Sequence, residues 1–64
     1  MATVKQVVGR AYHDYLQKGF GNHPPSEAMW IAEVYIDEQK SKSAPITEEQ
    51  LYSHVLSQLL DTDG

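Results

Sequence analysis

The chain contains no cysteine. Disulfides, thiolate nucleophiles and cysteine-based zinc or iron–sulfur sites are thereby excluded, and a small domain has lost one of its usual staples. Glycine and proline are sparse, at four and three residues, which argues against collagen-like and low-complexity chains. Basic residues are also in short supply. Lys5, Arg10, Lys18, Lys40 and Lys42 face Asp14, Glu27, Glu33, Asp37, Glu38, Glu48, Glu49, Asp61 and Asp63, for a formal charge of −4. Such a surface repels phosphate backbones and anionic headgroups, because non-specific nucleic-acid binding is largely counterion release by clustered Lys and Arg. Neither a nucleic acid nor a membrane is an expected direct partner. No long hydrophobic run occurs either: Ala28 to Ala32 is far short of a membrane span, and Met1 to Val8 lacks the charged and apolar regions of a signal peptide. A cytoplasmic location is the expectation.

What is present is 64 residues, 41% hydrophobic and 22% charged, which is one small globular domain over 1–64. A chain of this length buries only about 60% of the surface its unfolded form exposes. That leaves no room for a deep catalytic cleft, and sharing a core with a second copy is the expected remedy.

The first segment places Val4, Val7, Val8, Ala11, Tyr12, Tyr15 and Leu16 on one broad face at 3.6 residues per turn. Thr3 and Gln6 form a capping box at its start, and Lys18 with Gly19 marks its end, with Phe20 free to fold back on Tyr15 or Leu16. The stretch Gly21-Asn22-His23-Pro24-Pro25 is a stiff turn. Ser26 then offers an N-cap, Glu27 sits in the first turn, and a second helix is predicted to about Lys40. A buried strand from Met29 to Ile36 is the competing reading, which length and capping disfavour. After a polar connector, Thr47 and Gln50 form a second capping box, with Ile46 and Leu51 as its hydrophobic staple. Leu51, Tyr52, Val55, Leu56, Leu59 and Leu60 give the third helix its apolar side, and the acids from Asp61 to Gly64 are expected to fray.

The predicted fold is therefore all-α, a three-helix bundle or helical array with helices at about 4–18, 27–40 and 48–60, in a dimer. Its expected core is Val4, Val8, Ala11, Tyr15, Leu16, Phe20, Ile31, Ala32, Tyr35, Leu51, Val55, Leu56 and Leu59.

Catalytic and metal constellations are weak. No two of His13, His23 and His54 have the i, i+4 spacing of a helical zinc site, and all three read as solvated, so no metal or cofactor is expected. No serine has the glycine-flanked context of an activated nucleophile. Asp61-Thr62-Asp63-Gly64 is only the start of a calcium loop that needs twelve residues.

The second helix is the informative one. At about 100° per residue, Ala28, Met29, Ile31, Ala32, Tyr35 and Ile36 fill one arc, while Trp30 and Val34 form a second ridge. Glu27 and Glu38 flank that ridge on one side, Glu33 and Asp37 on the other. A helix apolar on two sides needs cover on both, so Trp30, Val34, Met29, Glu27, Glu33, Asp37 and Glu38 are the candidate interface. Two functions fit. One is a non-enzymatic interaction module or regulatory adaptor that self-associates through this helix; the other is an acidic inhibitor that mimics nucleic acid on a basic protein surface.

Overall fold

The computed structural model describes residues 3–63, the side chains at 62 and 63 excepted. Three helices follow in order: α1 over Val4–Gln17, α2 over Pro25–Ser41 and α3 over Glu48–Asp63. No strand occurs among the described residues, so the helical reading of Met29 to Ile36 holds. Tyr12, Val8, Pro25 and Met29 line one groove between α1 and α2 while Val4 and Ile36 line another, an order that runs antiparallel.

Local chemistry explains each boundary. The Thr3 hydroxyl accepts from the Gln6 N–H at 3.2 Å while the Gln6 carboxamide accepts from the Thr3 N–H at 3.0 Å, which completes the capping box. Thr47 and Gln50 repeat the arrangement at 3.1 and 3.2 Å. Past the end of α1, Gly19 has a φ of 92° and its N–H reaches the Leu16 carbonyl at 3.0 Å. Phe20 then stacks on Tyr15 with ring centroids 5.9 Å apart, the hydrophobic contact that accompanies such a cap.

Three boundaries differ from the sequence expectation. Helix α2 begins at Pro25 with Pro24 as N-cap, two residues before Glu27, and Ser26 caps nothing because it already lies inside the helix. Proline at the first helical position has its φ preset and lacks an N–H that would go unpaired there anyway. At the other end α2 passes Lys40 and closes at Ser43, which adopts a left-handed φ of 55°. The Ala44 N–H donates to the Gln39 carbonyl and the Ser43 N–H to that of Lys40, at 2.9 and 3.1 Å, a Schellman closure without glycine. Helix α3 continues past Leu60 to Asp63, since Asp61, Thr62 and Asp63 supply no helix breaker. Gly64, the last residue of the predicted frayed tail, lies outside the described residues.

The buried core is Val7, Val8, Ala11 and Tyr15 from α1, Ala28 and Ala32 from α2, and Leu51, Val55 and Leu59 from α3. Val7 and Ala28 enter it unforeseen; Val4, Leu16 and Phe20 leave it. Val4 sits in the first turn at the edge of the bundle beside Ile36 and Lys40. Leu16 is turned about 100° from Tyr15 and so away from the other helices, and Phe20, stacked on Tyr15, remains exposed. Ile31, Tyr35 and Leu56 pack against the core from its rim, partly exposed. This difference in burial sets the cost of truncation. Leu51, 4% exposed, should lose about 2–5 kcal/mol on Leu51→Ala, whereas Leu56→Ala should cost clearly less. Urea melts followed by circular dichroism check this, and equal costs for the two variants would contradict the rotation of α3 described here.

Candidate functional site

The outer face of α2 follows from its inner one. Ala28 and Ala32 are the buried pair, and Trp30 lies about 160–200° round the helix from them. It is 62% exposed, the most exposed of the large hydrophobic side chains among the described residues, and Val34, one turn on, is 37% exposed. Glu33, Asp37 and Glu38 stand exposed around them. These five residues share one continuous surface.

The other two candidates lie elsewhere. Met29 is partly buried against the core and faces α1, where it helps line a groove instead of the ridge. Glu27 is half-buried and engaged: its Oε2 lies 2.5 Å from Nδ1 of His23, one helical turn before it. His23 is accordingly not solvated. Its carbonyl accepts from the Tyr12 hydroxyl at 2.6 Å and its backbone N–H donates to the Tyr15 hydroxyl at 3.2 Å, so the whole α1–α2 turn is tied to the tyrosines of α1. His54 is also partnered, stacked on Tyr35 of α2 with centroids 4.1 Å apart. The Glu27 partner of His23 lies four residues on, a spacing visible in the sequence, whereas the Tyr35 partner of His54 comes from another helix and leaves no mark in periodicity.

A third cluster joins α1 to α3. The Tyr52 hydroxyl donates to Oδ2 of Asp14, and the Arg10 guanidinium sits 5.5 Å from the centre of the Tyr52 ring. The hydrogen bond to Asp14, with smaller contributions from burial and the Asp14 charge, raises the Tyr52 pKa above its ordinary 10.0, while Arg10 opposes the shift. Among the described residues no three His, Asp or Glu side chains converge on a point where a metal could sit, and no helix is long and apolar enough to cross a membrane. Comparison with protein-family models, curated proteins and solved structures gives no match.

The Tyr52 shift gives a signed pH dependence. A group whose pKa is raised on folding contributes stability below its unfolded pKa, near 10, and loses that contribution as pH climbs through the folded value. The stability advantage of the parent over Tyr52→Phe should therefore be full at neutral pH and vanish in strong alkali. The difference between ultraviolet titrations of the parent and of Tyr52→Phe should show Tyr52 ionising late, and Asp14→Asn should bring that difference back toward the ordinary value; a Tyr52 contribution unaffected by Asp14→Asn would contradict the assignment.

Proposed function

We propose that this protein is a cytoplasmic, non-enzymatic interaction module or regulatory adaptor that forms a homodimer through α2, with Trp30 as anchor. The observation that carries the reading is the exposure of Trp30 beside Val34 on the side of α2 opposite the core. Exposing an indole on so small a domain forgoes burial that folding could have used, and tryptophan is among the residue types enriched where protein interfaces concentrate their binding energy. A closed two-fold pair is the commonest arrangement for such chains.

A second reading draws on the exposure of Glu33, Asp37 and Glu38 around the ridge. In it the face occupies the basic, nucleic-acid-binding surface of another protein, with the acids steering encounter. Salt separates the two. Between about 0.1 and 1 M salt the Debye length falls from about 10 to 3 Å, which should weaken a basic partner's binding steeply and apolar self-association only modestly.

Sedimentation equilibrium over a concentration series should show the parent passing from monomer to dimer. Trp30→Ala should raise the dissociation constant by about 30-fold or more, the effect of removing at least about 2 kcal/mol of anchoring. A dimer indifferent to Trp30→Ala would move the interface off α2.

A further inference from the structure

We propose that Trp30 docks in the groove between α1 and α2 of a second copy, so that two copies exchange their indoles across a two-fold axis. This rests on the reading of α2 as the self-association helix and specifies what receives it.

The groove is an open cleft of about 360 Å³ whose lining includes Val8, Gly9, Tyr12, Pro25 and Met29 together with Lys5. Its lining is mostly apolar, and its size suits one aromatic side chain. Gly9 is otherwise unexplained. It lies in the middle of α1, where glycine weakens a helix relative to alanine. It is not among the positive-φ residues, and a Cβ built on it would meet no atom within 4 Å. Neither the backbone nor packing within the chain calls for glycine there. What the missing side chain provides is an unobstructed approach to the groove from outside.

Charge selects the same pairing. Helix α2 exposes Glu33, Asp37 and Glu38 around the ridge, so α2 laid on α2 would set acid against acid across the contact. Helix α1 carries Lys5 and Arg10, and its one acid, Asp14, is already hydrogen-bonded by Tyr52. Laying the α2 ridge of one copy over α1 of the other brings the acids toward Lys5 instead. Geometry agrees as well. A two-fold interface uses one patch twice, so that patch must hold both the projecting group and its receptor. Met29 in the groove wall and Trp30 on the ridge stand about 100° apart round α2, with Ser26 of the groove lining and exposed Glu33 between them, so one patch wrapping that side of the helix holds both.

The test adds a side chain to the groove lining at Gly9. Gly9→Leu adds a side chain where the chain itself has space, and leucine is the better helix former, so the monomer should melt at or above the parent temperature. Its dimer should be weakened by about 30-fold or more, the loss expected on removing a central anchor. Trp30 is the only tryptophan, so its emission should shift to the blue as the parent dimerises and stay red in Gly9→Leu. Gly9→Gln, polar and suited to an exposed helix, should behave alike and covers the case in which leucine disturbs the fold. Mixing Gly9→Leu with Trp30→Ala restores one intact indole facing one intact groove, and the mixture should associate more tightly than either variant alone. If both Gly9 variants dimerise like the parent while Trp30→Ala does not, the groove is overturned and α2 self-association stands. A mixture no tighter than its components would likewise overturn the exchange. A parent that remains monomeric at every concentration overturns both.

Discussion

Helix α2 meets the rest of the chain through two alanines. Ala28 and Ala32, one turn apart, are its buried residues, while α1 and α3 bury Val7, Val8, Tyr15, Leu51, Val55 and Leu59 between them. An alanine pair lets helix backbones approach closely but removes little apolar area from water. The larger side chains of α2 must then work from its flanks. Met29 and Ile36 lean on α1, Tyr35 stacks on His54 of α3, and Ile31 packs at the rim. With the seam fixed at Ala28 and Ala32, the remaining direction belongs to Trp30 and Val34. Their exposure is a consequence of how α2 is seated.

That seating is set in turn by the turn before it. Tyr15, fully buried, accepts from the His23 backbone and stacks with Phe20, while Tyr12 donates to the His23 carbonyl. The His23 ring reaches forward to Glu27 in the first turn of α2. Two prolines stiffen the path between. The rotation of α2 about its axis, and hence which residues form the ridge, is thus specified from both ends of a short connection. Glu27 serves this anchoring, which is why it does not stand with the acids around Trp30.

Local signals in the sequence were the legible ones. Both capping boxes, the left-handed Gly19 and the return of Phe20 onto Tyr15 or Leu16 depend on residues a few positions apart and are visible in spacing, while the choice of Tyr15 is made by the packing. Periodicity likewise gave three amphipathic helices and placed Trp30 and Val34 off the main apolar arc. It gave each helix's rotation only approximately, so that Val4 was exchanged for Val7 and Ala28 was missed in the core. Contacts between distant positions, such as Asp14 with Tyr52 or Tyr35 with His54, leave no mark in spacing. Ser43 was hidden for another reason: it occupies a conformation that favours glycine, so composition gave no hint of the cap.

The central claim is that the exposed ridge of α2 is covered by a second copy of the chain at the α1–α2 groove. The most direct measurement is an isotope-filtered NOE experiment on a mixture of labelled and unlabelled protein at a concentration that favours the dimer, where only contacts between copies give signal. Cross-peaks from the Trp30 indole of one copy to Val8, Tyr12 and Met29 of the other are the expected result. Cross-peaks from Trp30 to Trp30 and Val34 alone would place two ridges face to face, and a dimer with no Trp30 cross-peaks between copies would contradict the claim altogether.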